Sequence, residues 1–144
     1  MTNETPKEKR PTILLVDDDD NLRMEYKESL KAAGFYVVDI DDGSKLETTL
    51  SQIGFDAIIS DTDMSLDGDI ACRRAIKNKL VPPRVMIVGM SDNIDNRELW
   101  EGIAYHFLYK SSFASKQFPS DIGRAVMSYY LEFDKIRNTS SSIS

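Results

Sequence analysis

Short apolar runs alternate along this chain with segments whose apolar residues recur at helical spacing, and few folds accommodate that alternation. Five runs are predicted to be strands: TILLV (12–16), YVVDI (36–40), AIIS (57–60), VMIV (85–88) and FLY (107–109). Strands that alternate with helices pair in parallel, because each crossover helix returns the chain to the same end of the sheet. The sequence therefore predicts an α/β fold, with a five-stranded parallel sheet covered by helices on both faces.

Five helices are predicted between and after these strands. The first has apolar residues at helical spacing from Leu22 to Ala33 and ends at Gly34, since glycine favours the positive φ that closes a helix. Ser44 with Glu47 three residues later matches a capping box and predicts the start of the second helix. Helical spacing of apolar residues predicts the other three: Cys72, Ile76 and Leu80; Leu99 and Ile103; and Ile122, Val126, Tyr130 and Phe133.

The composition indicates one globular domain. The chain has 144 residues, of which 41% are hydrophobic, enough to bury a core. We expect a flexible segment at 1–11, a folded domain at 12–136 and a flexible tail at 137–144, because both ends are too polar to pack.

Charge and apolar patterning exclude several classes of partner. The net charge of −6 disfavours nonspecific binding to nucleic acid. No apolar run approaches the ~20 residues of a membrane span, and MTNETPKEKRP lacks the apolar core of a signal peptide. The single Cys72 excludes an intramolecular disulfide. We therefore expect a cytoplasmic protein with no nucleic-acid or membrane partner.

Two acidic clusters follow predicted strands. DDDD (17–20) comes after the first strand and Asp61 comes after the third. In an open parallel sheet, ligands bind beyond the carboxyl ends of the strands, where the strand order reverses. If the first and third strands are neighbours, Asp17, Asp18 and Asp61 converge and repel one another unless a cation joins them. Oxygen ligands without His or Cys nearby favour Mg²⁺.

Three stretches resemble a known family. ILLVDDDDNLR, IISDTDM with its following Asp-Gly, and LYKS resemble, in order and approximate spacing, the receiver domain of two-component response regulators. The resemblance covers nearly the whole folded chain and implies a stand-alone, somewhat divergent receiver with a flavodoxin-like fold and strand order 2-1-3-4-5. It also implies that an aspartate accepts a phosphoryl group from a histidine kinase or a phosphotransfer protein.

The resemblance assigns roles to individual residues. Asp61 matches the phosphoacceptor, Asp18 the main magnesium ligand, Asp17 the second acidic residue and Lys110 the lysine that contacts the phosphoryl group, while a backbone carbonyl at Asp63 completes the protein's share of the metal sphere. A carboxylate can attack phosphorus when a divalent ion offsets the charge of the nucleophile and the phosphoryl group. Beyond self-phosphorylation and slow dephosphorylation at Asp61, we predict no enzymatic activity.

The family's switch residues are only partly present. The hydroxyl residue at the end of the fourth strand matches Gly89, and the aromatic on the fifth strand matches Phe107. Glycine has no hydroxyl, so we predict that coupling to output is weaker or takes another route, with Ser91 as a candidate replacement. The family also has a proline directly after the lysine, and this chain has Ser111 at that position.

A partner surface is implied as well. Receivers signal through the face formed by the fourth helix, the fifth strand and the fifth helix, and the aromatic or titratable residues placed there or nearby are Trp100, Tyr105, His106 and Phe107. Aromatic residues favour interfaces, but Trp100 and Phe107 are equally suited to the core.

Two other functions remain open. DTDMS also resembles the DxDx[T/V] motif of haloacid-dehalogenase-type phosphohydrolases, with Asp61 as nucleophile and Asp63 as general acid or base. Those enzymes need a further acidic pair after the lysine, for which this chain offers, on a predicted helix, only Asp121, Glu132 and Asp134. The other alternative is a receiver-like interaction module that is never phosphorylated.

Overall fold

Five parallel strands form one sheet at the centre of the fold. The computed structural model describes residues 10–110, 121–129 and 132. The sheet order is β2-β1-β3-β4-β5, with β1 at Thr12–Val16, β2 at Tyr36–Ile40, β3 at Ala57–Asp61, β4 at Met86–Ser91 and β5 at His106–Tyr109. The predicted fold class and strand order are confirmed. The order reverses between β1 and β3, which places a crevice at their carboxyl ends.

Helices cover both faces of the sheet. The described helices are α1 (Asp20–Ala32), α2 (Leu46–Gln52), α3 (Gly68–Lys77) and α4 (residues 121–129), with 3₁₀ segments at Gly43–Lys45 and Ile94–Trp100. The buried side chains of α1 and α4 pack in one core cluster with one face of the strands. Those of α2, α3 and Trp100 pack in a second cluster with the opposite face. The sheet is therefore buried on both sides, as its near-continuous apolar strands require.

Helix α1 begins and ends as its sequence predicts. The Asp19 side chain caps the first turn by accepting the Leu22 N–H at 3.1 Å. At the other end Gly34 has a φ of +101°, and the Phe35 N–H donates to the Leu30 carbonyl at 3.1 Å. That bond and the positive φ form the glycine-terminated cap that stops the helix before β2.

The predicted capping box at Ser44 is wrong. The Asp42 side chain accepts the Ser44 N–H at 2.9 Å and starts the 3₁₀ turn Gly43–Lys45, from which α2 continues at Leu46. An Asp that bonds to the N–H two residues on forms a local turn, and this turn takes the place of a serine cap.

The predicted fourth helix is also wrong. Its place is taken by the 3₁₀ segment Ile94–Trp100, in which Leu99 is exposed and Trp100 is buried. The chain leaves the segment at Glu101 with extended backbone, and Gly102 follows with a φ of +85°. Two apolar residues at helical spacing, Leu99 and Ile103, are therefore not on one helical face.

The end of β4 also differs from the prediction. β4 continues to Ser91 rather than ending at residue 88, because Met90 pairs with Asp61 on β3 and Ser91 with Tyr109 on β5. Gly89 consequently lies inside the strand.

On α3, Cys72 is buried in the core, which agrees with its place on the predicted apolar stripe, whereas Ile76 of the same stripe is exposed and Ala75 is buried. Burial raises the pKa of the Cys72 thiol to about 12.

The last predicted helix is confirmed where it is described. Ile122 and Val126 of α4 are buried as their spacing predicts. Tyr130 and Phe133 lie outside the described residues, and so do Ser111 and most of the two predicted flexible ends. Within the part of the chain that the structure describes, every helix is too short or too polar to cross a lipid bilayer.

Candidate functional site

Three aspartates meet at the carboxyl ends of β1 and β3. The two strands are paired in parallel, so Asp17, which directly follows β1, lies beside the end of β3, where Asp61 is the last residue. Carboxylate oxygens of Asp17, Asp18 and Asp61 all lie within 4.8 Å of one another. Asp17 and Asp61 are buried and Asp18 is exposed at the mouth of the group. The convergence expected from the sequence is present.

Lys110 neutralises part of this charge. It directly follows β5, and its ammonium Nζ lies 2.9 Å from Asp17 Oδ2 and 3.1 Å from Asp61 Oδ1. Burial by itself would lower the pKa of Lys110, but the hydrogen bond and charge of Asp17, with the charge of Asp61, outweigh burial and raise that pKa to about 12. The lysine is therefore a fixed cation between two carboxylates from different strands.

Asp61 is the less stabilised of the two carboxylates bonded to Lys110. Burial raises the pKa of Asp61 to about 6; the Lys110 charge opposes this rise and the Asp17 charge adds to it. The nearby Thr62 backbone N–H, like the Lys110 charge, acts to lower this pKa. Asp17, by contrast, accepts the Asp19 N–H at 2.9 Å in addition to the lysine bond. A second cation beside Asp61 would therefore relieve the remaining cost of its charge.

The acidic pocket is the cavity above these residues. It has a volume of about 190 Å³, and its lining residues are Asp17, Asp18, Asp19, Leu22, Asp61, Asp63, Asp92 and Lys110. Its donor atoms are chiefly carboxylate oxygens, the ligands that Mg²⁺ prefers, so the residues present fit this ion.

Asp63 lines the acidic pocket but its side chain has a different partner. The Asn96 amide Nδ2 donates to Asp63 Oδ2 at 3.0 Å and to Ser91 Oγ at 2.8 Å. Ser91 is buried and its hydroxyl oxygen also accepts the Asn93 N–H at 3.0 Å. Asn96 therefore ties the 3₁₀ segment Ile94–Trp100 to the loop after Asp61, a contact for which the sequence offers no signal.

Gly89 and Phe107 are cross-strand neighbours on β4 and β5. The indole ring of Trp100 lies against Gly89, so that a Cβ atom at position 89 would be 2.5 Å from Trp100 Cε2. Phe107 is half-buried and packs in the same core cluster. The sequence left Trp100 undecided between the core and a partner surface; it is a core residue, and it fills the space in which a side chain at 89 would lie.

Thr62 connects that indole to the acidic pocket. Its hydroxyl donates to the Met90 carbonyl at 2.8 Å and accepts the Trp100 Nε1–H at 2.8 Å. Thr62 is fully buried and directly follows Asp61. Thr62 was not predicted as a site residue, because a threonine at a strand end carries no sign of a tryptophan 38 residues away.

The predicted partner face is partly exposed. Tyr105 and His106 are exposed, and the Tyr105 ring packs edge-on against Tyr129 of α4 at 5.0 Å. A second pocket of about 290 Å³ opens here, lined by Arg97, Trp100, Glu101, Ala104, Tyr105, His106 and Phe107.

The phosphohydrolase alternative needs a second acidic pair beside Asp61, and among the described residues the downstream candidates do not lie there. Asp121 lies in α4, where it pairs with Arg124 at 3.2 Å, and Glu132 is exposed. Asp134 lies outside the described residues. The carboxylates grouped with Asp61 come instead from the DDDD run, which that alternative does not explain.

Comparison with known sequences identifies a family match. The model of the response regulator receiver domain matches residues 13–118. The C4-dicarboxylate transport transcriptional regulatory protein DctD of Pseudomonas aeruginosa is 30% identical over 122 residues, which is 84% of this chain and 25% of that protein. The chain therefore spans about a quarter of the length of this relative.

Known structures show the same fold. The chemotaxis protein CheY4 of Vibrio cholerae has a TM-score of 0.70 at 21% identity, covering 80% of this chain and 98% of that one. The response regulator TrrA of Thermotoga maritima, in complex with Mg²⁺-BeF, has a TM-score of 0.69 at 22% identity, covering 79% and 97%. The signal receiver domain of an HD domain-containing protein of Pseudomonas fluorescens has a TM-score of 0.75 at 19% identity, covering 92% and 98%.

Proposed function

The chain belongs to the family of response regulator receiver domains of two-component signalling, and we propose that Asp61 is its phosphoacceptor. The observation that carries the proposal is the position of Lys110, whose ammonium lies 3.1 Å from Asp61 Oδ1 and 2.9 Å from Asp17 Oδ2. A cation in this place can contact a phosphoryl group on Asp61 as well as the carboxylate itself.

The transfer is a displacement at phosphorus. A carboxylate oxygen of Asp61 forms a P–O bond while the P–N bond of a donor phosphohistidine breaks, and the electron pair of that bond stays on the imidazole nitrogen. With acetyl phosphate the broken bond is P–O and the leaving group is acetate. The product is an acyl phosphate, whose added negative charge lies beside Lys110.

Asp17, Asp18 and Asp61, with the backbone carbonyl of Asp63, would hold Mg²⁺. The support for this is the group of three carboxylate oxygens within 4.8 Å of one another. Bound there, the ion would offset the combined negative charge of the nucleophile and the incoming phosphoryl group. Lys110 alone cannot do so, because its single charge is already shared by two carboxylates.

Receiver domains interact with histidine kinases or phosphotransfer proteins, and we propose one of these as the donor. The target would be a protein that contacts the face formed by Ile94–Trp100, β5 and α4, where Tyr105 and His106 are exposed. We further propose a domain at 12–136 with flexible ends, located in the cytoplasm and acting without nucleic-acid or membrane contact.

Intact mass after incubation with Mg²⁺ and acetyl phosphate tests the proposal. We expect the native protein and Asp95→Asn, an exposed carboxylate on Ile94–Trp100, to gain one phosphoryl group, and Asp61→Asn to gain none. A gain that survives in Asp61→Asn would place the chemistry at another residue. A native protein that gains nothing from acetyl phosphate or from a kinase would favour the unphosphorylated interaction module.

A further inference from the structure

Thr62 contacts the acceptor on one side and a tryptophan on the other. It directly follows Asp61, and its hydroxyl donates at 2.8 Å to the carbonyl of Met90, the residue on β4 that pairs with Asp61. Because the hydroxyl proton is used in that bond, the oxygen's lone pairs are left to accept the Trp100 Nε1–H, also at 2.8 Å. One fully buried residue therefore links the proposed phosphoacceptor to the indole.

The indole has little freedom to move without breaking that link. Trp100 is 1% exposed and lies against Gly89, where an added Cβ would be 2.6 Å from its Cγ. Glycine is the residue that allows this approach, since any side chain at 89 would overlap the ring. Trp100 thus occupies the place that a hydroxyl-bearing side chain on β4 would need.

Trp100 is also the last residue of the 3₁₀ segment Ile94–Trp100. Its bond to Thr62 is one link between this segment and the loop after Asp61, and Asn96 makes a second. Asn96 donates to Asp63 Oδ2 at 3.0 Å. Trp100 is also one of the residues that line the surface pocket of about 290 Å³ beside β5. A change at residues 61–63 therefore has two direct hydrogen-bonded routes to this segment and, through Trp100, to an exposed surface.

We propose that Trp100 is a positioning residue that responds to the state of Asp61 through Thr62, in place of a hydroxyl switch at position 89. This inference depends on the proposed function, because it is phosphorylation of Asp61 that changes the surroundings of Thr62, the next residue in the chain. Conversion of the carboxylate to an acyl phosphate removes its charge and moves the negative charge outward, which changes the electrostatic forces on the adjoining backbone of Thr62. The Thr62 side chain moves with its backbone, and the Trp100 bond changes with it.

The chain supplies its own probe, because Trp100 is its single tryptophan. Beryllium fluoride with Mg²⁺, a mimic of the phosphoryl group, is added to the native protein, to Thr62→Ser, which keeps the hydroxyl, and to Thr62→Val, which lacks it. We expect the tryptophan emission to shift in the first two and the shift to be lost in Thr62→Val. Thr49→Val, which removes a hydroxyl that bonds to Lys45 on the outer side of α2, is the matched control and keeps the shift.

Fluorine NMR of bound beryllium fluoride separates the possible failures. Bound fluoride with unchanged native emission, or with an equal shift in Thr62→Val, would overturn this inference and leave the proposed function standing. No bound fluoride in the native protein would overturn both. If Thr62→Val does not fold, the indole N–H resonance of the native protein decides: it moves on addition of beryllium fluoride if Trp100 responds to Asp61, and a fixed resonance overturns the inference.

Discussion

Gly89 on β4 lies beneath the indole of Trp100, close enough that a Cβ atom at 89 would be 2.5 Å from the ring carbon Cε2. Carbon atoms without a bond between them pack at roughly 3.5 to 4.0 Å. The glycine and the tryptophan are therefore a matched pair. Restoring a hydroxyl side chain at 89 would displace Trp100 rather than recreate a switch.

Gly89→Ala is expected to destabilise the fold by about 1 to 3 kcal/mol, the usual cost of overpacking a core. Urea unfolding measures this cost. Gly54→Ala is the control, since an added Cβ there meets nothing within 4 Å, and it should change little. In a Trp100→Ala background the cost of Gly89→Ala should largely vanish; a cost that persists there would show that the ring is not its cause.

Lys110→Met should be strongly destabilising without Mg²⁺. It leaves two buried carboxylates, Asp17 and Asp61, with no opposite charge in contact, and breaking a buried pair in this way costs roughly 3 to 5 kcal/mol. Unfolding by urea, with and without Mg²⁺, measures the loss; Mg²⁺ should recover part of it. Lys77→Met, an exposed lysine at the end of α3, is the control and should have little effect. Equal effects of the two substitutions would contradict the role given to Lys110.

Mg²⁺ should raise the melting temperature of the native protein, because the ion relieves repulsion among the grouped carboxylates. Asp18→Ala should remove this rise and, by deleting one repelling charge, leave the metal-free protein at least as stable as the native one. Asp95→Ala should keep the native response. An unchanged Mg²⁺ response in Asp18→Ala would show that Asp18 is not a ligand.

How much of this site the sequence predicts depends on how far apart along the chain the contacting residues lie. Asp17 and Asp61 were found because each directly follows an apolar run, and parallel pairing brings the carboxyl ends of neighbouring strands together. The contacts of Thr62, Asn96 and the ring of Trp100 were not predicted. Their bonds join segments 38 and 33 residues apart and depend on where a 3₁₀ segment turns, which no local pattern specifies.

Helix prediction failed for a related reason. Leu22 to Ala33 supplied several turns of apolar spacing and a glycine stop, so α1 was found. Leu99 and Ile103 supplied one interval, which is too little to distinguish a helix from two separate contacts, and burial of Trp100 determined the local conformation instead.

Acid should weaken the link between α1 and β2. Burial acts to raise the pKa of Asp39, but its hydrogen bonds to Lys27 at 2.7 Å and Arg23 at 2.9 Å prevail and lower it. A carboxyl whose folded pKa is depressed stabilises the fold above its unfolded pKa, and this contribution is lost as the pH falls below about 4. Melting temperatures across this range should fall less steeply for Asp39→Asn than for the native protein, and equal slopes would contradict the assignment.

Ser91 is the other candidate for the missing switch hydroxyl. Its oxygen accepts the Asn93 N–H at 3.0 Å and the Asn96 amide at 2.8 Å, and the residue is buried. A hydroxyl so placed holds the loop that leads into Ile94–Trp100, so Ser91→Ala should cost about 1 to 2 kcal/mol in urea unfolding. If Trp100 responds through Thr62, Ser91→Ala should still show the tryptophan shift with beryllium fluoride. Loss of the shift in Ser91→Ala, with its retention in Thr62→Val, would instead identify Ser91 as the relocated switch.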